Sequence, residues 1–272
     1  MIRPADKILV RRSFDRAAAT YDRAAQLQRQ VCEALAARLD GAPQGPLLDA
    51  GCGTGYGARL LARRFPDQPL ILADFAPAML GLARQAQPTA SNTAALQNPV
   101  GAPIGLPVCA DVESLPLKSA SLGLYWSSLT LQWCDLPRAL GEAHRVLFPG
   151  GRLAVSTLGP GTFQELRQAF AGVDPHRHVL PFRDAPAGAA AALAAGFYGV
   201  RAERLQFRLH YPNLRQLLRA IKDVGANQVG GPRRPVLMGK AAWRTVEAAY
   251  ERCRTPQGLP LSYDVVLLTG HK

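Results

Sequence analysis

A glycine-rich turn is the part of the sequence whose residue types point most clearly to chemistry. Residues 47–57 read LLDAGCGTGYG, an apolar strand followed by a turn of alternating glycines and then a helical stretch. Because glycine lacks a Cβ atom, such a turn can adopt positive φ angles and lets a ligand lie against main-chain atoms near a helix N-terminus. No Gly-Lys-Ser/Thr follows, which excludes a Walker phosphate loop, and the glycines alone match a dinucleotide fingerprint only weakly.

Three aspartates at the ends of successive predicted strands sharpen this interpretation. Asp49 precedes the glycines, where its negative charge would repel a pyrophosphate. A cationic or amino-bearing ligand fits this position better. Asp74 can accept two hydrogen bonds from a ribose diol, and Asp111 can accept one from an exocyclic amine such as that of adenine. Each acid alone could equally be a helix N-cap or a solvated loop residue. Together with the glycines, the three predict one ligand crevice.

The elements that must position these residues alternate along the chain. Two helices between Phe14 and Leu39 come first, with Leu27, Val31 and Leu35 in their apolar stripe. The alternation predicts an α/β fold with a doubly wound parallel sheet, and the aperiodic stretch from residue 85 to 105 predicts a loop insertion. Predicted strands cover 46–49, 70–74, 107–111, 122–126, 151–156, 204–211 and 262–268; predicted helices cover 57–64, 79–84, 136–147, 162–171, 186–195, 214–224 and 240–252.

As a set, these motifs resemble the class I S-adenosylmethionine-dependent methyltransferases. The resemblance implies a Rossmann-like, seven-stranded, mostly parallel sheet with helices on both faces, N-terminal helices and a helical cap insertion. It divides the chain into an N-terminal helical arm or lid (1–43), a cofactor-binding core (44–158), and the end of the sheet with the inserted cap (159–272). The implied cofactor-binding residues are Asp49, Gly51, Gly53, Gly55, Asp74, Phe75, Met79, Asp111, Val112, Ser127 and Leu129.

A closer resemblance runs nearly end to end, to the malonyl-acyl-carrier-protein O-methyltransferases of biotin synthesis. It rests on the segments FDRAAATYD (14–22), LQRQ (27–30), DVESLPL (111–117), SSL (127–129), LQWC (131–134), ELRQAF (165–170), VD (173–174) and IKDVGAN (221–227). The likeness implies methyl transfer from S-adenosylmethionine, without a metal, to the free carboxylate of a malonyl thioester on acyl carrier protein. Two departures are the 85–105 insertion and a short loop after Asp174.

Several polar residues are candidates for holding that carboxylate. An arginine could bind the carboxylate by two parallel hydrogen bonds, and the candidates are Arg29, Arg177 and Arg183. Each of them could instead lie on the protein surface, as most arginines do. Tyr21 could close over the cofactor's methyl group or orient the carboxylate, or it could simply pack the helix on the core. Gln132 and Trp133 could line the substrate pocket. His176 and His178 are only two ligands and do not make a metal site.

The net charge of +12 is concentrated in two segments. Residues 1–30 hold 7 basic and 3 acidic side chains, residues 201–254 hold 12 and 4, and the remainder is balanced at 13 and 13. Acyl carrier proteins are strongly acidic, so a basic surface on these segments suits their docking. Nucleic acid fits less well, because aromatic residues do not interleave with the basic ones.

Other functions remain open at this stage: methylation of RNA or of a quinone-type small molecule, or a methyltransferase-like assembly factor or hydroxylase. Five scattered cysteines without a Cys-x-x-Cys pair favour a reducing compartment. The N-terminus lacks the apolar core of a secretory signal, and no apolar run is long enough to span a bilayer. We therefore expect a cytoplasmic protein, a monomer, with no membrane partner.

Overall fold

The computed structural model describes residues 6–85, 105–173, 179–226 and 238–272. Nearly all of the predicted insertion between Gln85 and Gly105, and Arg177, His176 and His178 in the loop after Asp174, lie outside the described residues. Within the described ranges no helix is long and apolar enough to cross a membrane. Nor does the described part of the chain gather three His, Cys, Asp or Glu side chains around a possible metal position.

Helices and strands alternate along the chain as the sequence predicts. The helices are α1 (Lys7–Ala24), α2 (Gln26–Ala36), α3 (Tyr56–Arg64), α4 (Pro77–Gln85), α5 (Leu136–Val146), α6 (Gln164–Phe170), α7 (Ala185–Ala194), α8 (Leu214–Asp223) and α9 (Lys240–Glu251). The strands are β1 (Leu47–Ala50), β2 (Leu70–Asp74), β3 (Leu106–Cys109), β4 (Leu122–Ser128), β5 (Leu147–Leu158), β6 (Tyr198–Tyr211) and β7 (Leu259–His271). A short 3-10 helix covers Leu131–Trp133.

The seven strands form one sheet in the order β3-β2-β1-β4-β5-β7-β6, which confirms the predicted fold class. Strands β1 to β5 pair in parallel, and β7 runs antiparallel to both β5 and β6. Strands β6 and β7 are longer than predicted because their mutual ladder continues beyond the apolar run of each. The strand order reverses between β1 and β4, and such a reversal opens a crevice at the carboxyl ends of parallel strands.

Both faces of the sheet are covered, and the central strand β4 shows how. Leu124 and Trp126 pack in the core that includes Val31 of α2, whereas Tyr125 packs in the opposite core with Leu140 of α5. All five of these side chains are fully buried. A parallel strand buried on both faces is apolar at successive positions rather than at alternate ones, as β4 is.

Helix α1 begins earlier than the predicted start near Phe14. The carboxylate of Asp6 accepts hydrogen bonds from the backbone N–H groups of Ile8 and Leu9, so it caps the helix and adds two turns before Phe14. The helix packs against α4 and α8, and the Thr20 hydroxyl donates to the carbonyl of Asp223 at 2.9 Å. The predicted apolar stripe from Leu27 through Leu39 is buried, as expected.

Asp264 on β7 fixes the loop that leaves β5. Its buried carboxylate accepts from the N–H of Gly161 at 2.9 Å and pairs with Arg204, also at 2.9 Å. The Thr162 hydroxyl donates to the Asp264 carbonyl at 2.9 Å. These bonds hold Phe163 in the left-handed region, at φ 57°, with its ring over the carboxyl edge of the sheet.

Candidate active site

The turn after β1 adopts the left-handed backbone that its glycines permit. Gly51, Gly53 and Gly55 have φ angles of 78°, 53° and 84°. A Cβ atom on Gly51 would come within 2.1 Å of the hydroxyl oxygen of Thr130, so this position accepts only glycine without local movement. Gly55 caps α3, and its N–H donates to the carbonyl of Cys52 at 2.8 Å. Gly51 and Gly53 therefore present main chain to the crevice, whereas Gly55 starts the helix.

Asp49 is a buried carboxylate with one unsatisfied oxygen. The residue is 2% exposed, and its Oδ2 atom has no hydrogen-bond partner in the described part of the protein. Burial, and after it the charge of Asp74, raises the pKa of Asp49 from 3.8 to about 7. Gly57 leaves room for it, since a Cβ there would lie 2.9 Å from Oδ2. A buried, unpaired carboxylate costs free energy, and an ammonium group beside it would relieve that cost.

Asp74 ties the end of β2 to the glycine-rich turn. Its carboxylate accepts hydrogen bonds from the N–H groups of Gly53 at 2.9 Å and Ala76 at 2.8 Å. Burial raises the pKa of Asp74 to about 6, and these two N–H donors oppose the shift. Each carboxylate oxygen has a second acceptor site, so Asp74 retains the capacity to bind a diol.

Asp111, after β3, is more exposed than Asp49 and Asp74, and its carboxylate forms an ion pair with the N-terminal helix. Lys7 of α1 forms an ion pair with Asp111 and reaches Glu113 Oε1 at 2.8 Å. The Asp111 Oδ1 atom accepts from the N–H of Glu113 at 3.0 Å, and Val112 between them is buried. The predicted acceptor for an exocyclic amine is therefore already held in place by a lysine from another element.

Three adjoining cavities surround these residues. The strand-end cleft, with about 640 Å³ of empty space, passes the ends of β1, β2 and β3 beneath α1. Its walls are Lys7, Val10, Phe14, Tyr21, Gly51, Gly53, Asp74, Phe75, Met79, Ala110, Asp111, Val112, Ser128, Leu129, Thr130, Trp133 and Cys134. The turn cavity, on the other side of the glycine-rich turn, is lined by Asp49, Gly51, Gly53, Tyr21, Asp22, Gln28, Arg29, Cys32, Arg59 and their neighbours.

The third cavity is an apolar chamber of about 1020 Å³, part of it open to solvent. Its walls come from every region of the chain: Phe14, Tyr21, Leu27, Gln28, Leu129, Gln132, Trp133, Leu158, Phe163, Leu166, Val179, Leu180, Phe182, Leu218, Ile221, Val224, Ala226 and Tyr263. No lysine or arginine lines this chamber among the described residues. Its size and apolar walls suit an acyl chain or a similar extended group.

Tyr21 lies where the three cavities meet. Among the described residues it alone lines all three. Burial raises the pKa of its hydroxyl well above the usual value, so the phenol stays protonated and can donate a hydrogen bond. A ligand atom passing from the strand-end cleft towards the chamber would meet this hydroxyl.

Trp133 lies on the boundary between the cleft and the chamber, and Gln132, its neighbour in the chain, lines the chamber. The Gln132 side chain donates to the carbonyl of Leu129 at 2.6 Å and accepts from the hydroxyl of Thr157 at 3.4 Å. Trp133 lines both the strand-end cleft and the chamber, and its ring meets that of Phe14 edge to face, with the centroids 5.8 Å apart. Both residues line the chamber, and their contacts with the substrate stay a prediction.

Four other predicted residues lie elsewhere than their assigned roles need. Ser127 is fully buried and donates to the carbonyl of Ala50 at 2.7 Å, so its neighbour Ser128 faces the cleft instead. Arg29 borders the turn cavity and donates to the carbonyl of Asp22 at 2.7 Å, away from the chamber. Arg183 lines none of the three cavities, since Phe182 takes the inward position. Gly55, as described above, shapes the turn without facing the crevice.

Sequence reasoning missed several wall residues. Lys7 was not predicted as a wall residue, because the predicted helix begins near Phe14, seven positions later. Gln28 lies in a segment that carried the family resemblance, but its polar head was not singled out. Phe163 and Tyr263 are a hundred residues apart in the chain, and their rings pack with centroids 5.0 Å apart only because β5 and β7 pair.

The donors and acceptors of this site fit S-adenosylmethionine. The unsatisfied Oδ2 of Asp49 suits its amino group, Asp74 suits its ribose diol, and Asp111 with Phe75 and Met79 suits the adenine. The φ-positive glycines let the methionine part lie against main chain. This assignment of contacts stays a prediction; the observation behind it is the buried Asp49 oxygen, which needs a hydrogen-bond donor, and an ammonium group would also balance its charge.

Solved structures similar to this one share its fold. The YcgJ protein from Bacillus subtilis superposes with a TM-score of 0.59 at 16% identity, over 89% of this chain and 98% of that one. Haemonchus contortus phosphoethanolamine N-methyltransferase 2, solved in complex with S-adenosyl-L-methionine, gives a TM-score of 0.56 at 16% identity, over 95% of this chain and 57% of that one. At these identities the likeness shows the methyltransferase fold alone.

Sequence comparisons carry the assignment further. A family profile described as "methyltransferase domain" matches residues 48–155. The malonyl-acyl-carrier-protein O-methyltransferase of Dechloromonas aromatica strain RCB is 46% identical over 98% of this chain and 95% of its own length. The protein of the same name from Laribacter hongkongensis strain HLHK9 is 47% identical over 98% of this chain and 89% of its own. The chain therefore belongs to the malonyl-acyl-carrier-protein O-methyltransferase family.

Proposed function

We propose that the protein transfers a methyl group from S-adenosylmethionine to the free carboxylate of a malonyl thioester on acyl carrier protein. The observation that carries this proposal is the position of Tyr21, where the turn cavity lined by the buried acid Asp49, the strand-end cleft and a large apolar chamber meet. The crevice suits a cationic nucleoside, and the chamber suits an acyl thioester. The malonyl ester that results would enter biotin synthesis.

The reaction does not require the protein to remove a proton from the substrate. A carboxyl group with an ordinary pKa of about 4 is already ionised at neutral pH, so no general base is needed. Bound S-adenosylmethionine supplies a sulfonium methyl, which passes to the carboxylate oxygen as the S–C bond breaks and leaves a neutral thioether. The residues of this chain align the two reactants and strip water from the carboxylate, and the apolar walls of the chamber suit the second task.

Among the described residues, neutral donors reach the chamber wall, and the predicted Arg29 and Arg183 do not. Neither Arg29 nor Arg183 lines the chamber, whereas Tyr21, Gln132 and Gln28 bring polar atoms to its wall. We assign Tyr21 and Gln132 to orient the carboxylate, because Tyr21 lines both the strand-end cleft and the chamber, and Gln132 brings its amide to the chamber wall. Arg177 lies outside the described residues and keeps its predicted role.

Helix α8 offers a surface for the carrier protein. Its inner face supplies Leu218 and Ile221 to the chamber wall, while Arg215, Arg219 and Lys222 are exposed on the outer face, three to four residues apart. The basic outer face therefore covers the same cavity that would receive the acyl group. An acidic carrier docked there would keep its tethered thioester within reach of the chamber.

Charge reversal on α8 tests this docking surface. We expect Arg215→Glu with Arg219→Glu to raise KM for malonyl-carrier protein by about tenfold or more at low salt, because each change replaces attraction with repulsion. KM for malonyl-pantetheine should stay the same. Arg63→Glu with Arg84→Glu is the matched control, since both arginines are exposed near the C-terminal ends of α3 and α4. Equal effects of the two pairs on KM would remove α8 from docking.

A direct assay tests the activity itself. Purified protein with methyl-labelled S-adenosylmethionine should convert malonyl-carrier protein to a labelled ester that mild base hydrolyses. Acetyl-carrier protein, which has no free carboxylate, is the matched control and should stay unlabelled. Label in RNA or in a quinone-type acceptor, with none in malonyl-carrier protein, would contradict the proposal, and so would cofactor binding without any transfer.

A further inference from the structure

Helix α1 is fastened to three separate loops at the carboxyl edge of the sheet. Lys7 pairs with Asp111 and Glu113 in the loop after β3. Asp15 Oδ1 accepts from the N–H of Ala78, in the first turn of α4 after β2. Asp22 Oδ1 accepts from the Thr54 hydroxyl at 2.5 Å, in the glycine-rich turn after β1; we call Lys7, Asp15 and Asp22 the anchors.

The anchors lie on one side of α1. Asp15 lies eight positions after Lys7, and Asp22 lies seven positions after Asp15. Each step is close to two helical turns, since a turn takes about 3.6 residues. The helix therefore runs across the ends of β3, β2 and β1 and contacts each in sequence. Each anchored loop is also one that carries a predicted cofactor group, namely Asp111, Asp74 or the glycines.

Between the anchors, α1 presents apolar and aromatic residues to the strand-end cleft. Val10, Phe14 and Tyr21 form part of its wall. A ligand bound between these side chains and the strand ends would be covered on one side by α1, as in other enzymes with a covering element. The Asp15 side chain itself does not line any of the three cavities, so this anchor acts on the helix and not on a bound ligand.

We propose that Lys7, Asp15 and Asp22 are positioning residues that hold α1 across the strand-end cleft, so that their release sets the rate at which S-adenosylmethionine enters and S-adenosylhomocysteine leaves. The proposal rests on the use of this cleft for the cofactor, which is part of the proposed function. It adds that α1 acts as a gate whose opening is controlled by contacts to loops. Binding equilibrium and exchange rate should then respond differently to loss of an anchor.

Loss of an anchor should speed cofactor exchange without weakening binding much. For Asp15→Ala and Asp22→Ala we expect association and dissociation rates to rise together by about 5- to 20-fold, as for a lost charge-assisted hydrogen bond that is partly exposed. For Asp15→Ala, whose side chain lines none of the three cavities, the dissociation constant should change by less than about threefold, because it is the ratio of the two rates. Stopped-flow tryptophan fluorescence measures both rates, since Trp133 lines the cleft and contacts Phe14 of α1.

Conservative variants separate gating from damage to the fold. Asp15→Asn and Asp22→Asn keep a side-chain oxygen that accepts the same hydrogen bond, so their rates should stay within about twofold of wild type. Thr54→Val should change the exchange rates as Asp22→Ala does. The double variant Asp22→Ala/Thr54→Val should exchange the cofactor no faster than either single variant, because both substitutions remove the same hydrogen bond. Arg16→Ala is the matched control on α1, since the Arg16 side chain bonds only to the carbonyl of Arg12 within the same helix among the described residues.

The possible failures are distinguishable. Unchanged rates in the Ala variants would overturn the gate while leaving the proposed function intact. A higher dissociation constant with an unchanged association rate would also overturn it, because the anchors would then be ordinary binding contacts. If the wild-type protein failed to bind the cofactor at equilibrium, the gate and the proposed function would both be wrong.

Discussion

Replacing Asp49 by Asn is expected to raise the dissociation constant of S-adenosylmethionine by about 30- to 5,000-fold, the range for removing one partner of a buried charge pair. Asp49 is 2% exposed and its Oδ2 atom has no partner in the described structure, so an ammonium group would find a desolvated, unshared carboxylate there. Isothermal calorimetry of the variant measures the change directly. An effect below about threefold would place the amino group elsewhere.

The pH dependence of binding gives the same prediction a second measure. The pKa of Asp49 is raised to about 7, so the carboxyl is mostly protonated at pH 6 and must lose its proton before it can pair with an ammonium group. Affinity in the wild-type protein should therefore fall by about eightfold between pH 7.5 and pH 6, with proton release on binding. Asp49→Asn should lose the part of this pH dependence that comes from Asp49.

The free protein should respond in the opposite direction. Because the pKa of Asp49 is higher in the folded state than its usual 3.8, the native protein holds more protons than the unfolded chain between about pH 4 and pH 7. This group therefore lowers the free energy of unfolding as pH rises through that window. Asp49→Asn removes the buried charge, so we expect the ligand-free variant to be more stable than wild type at pH 8, which would show that lost binding is not lost folding.

The part of the site that lies at strand ends could be predicted from the sequence. Asp49, Asp74 and Asp111 each follow an apolar run, and parallel strands bring such positions to one edge. The Ser127 side chain points away from the cleft for a related reason: adjacent residues on a strand point to opposite sides, and Ser128 is the one that faces the cleft. Local pattern fixes which strand reaches the edge, but not which of two neighbouring serines faces it.

The chamber could not be predicted in the same way, because its walls are joined only by tertiary packing. Leu158, Phe163 and Tyr263 meet because β5 pairs with β7, and Leu218 joins them from α8. Arg29 was expected at the substrate because its type suits a carboxylate, yet the rotation of α2 turns Gln28 towards the chamber and Arg29 towards the turn cavity. Composition indicates that an arginine is available, whereas helix rotation decides where it points.

Gly51→Ala is expected to destabilise the folded protein by about 2–4 kcal/mol, through strain at a positive φ and a clash. The φ of Gly51 is 78°, and a Cβ there would lie 2.1 Å from Oγ1, 2.5 Å from Cγ2 and 2.8 Å from Cβ of Thr130. Thr130 cannot move away freely, because its hydroxyl donates to the carbonyl of Ser128 at 3.3 Å. Urea denaturation measures the loss, and cofactor affinity should fall with it since the turn carries the binding backbone.

A second substitution divides that loss into its two causes. Thr130→Gly removes all three clashing atoms, so the double variant Gly51→Ala/Thr130→Gly should be less destabilised than the sum of the two single variants, with strain of about 1–2 kcal/mol remaining. Gly141→Ala on α5 is the matched control, because a Cβ there meets nothing within 4 Å, and it should stabilise the helix by about 0.5–1 kcal/mol. Strict additivity of Gly51→Ala and Thr130→Gly would mean that backbone strain alone excludes a side chain from the turn, and that Thr130 plays no part in keeping its main chain open to the cofactor.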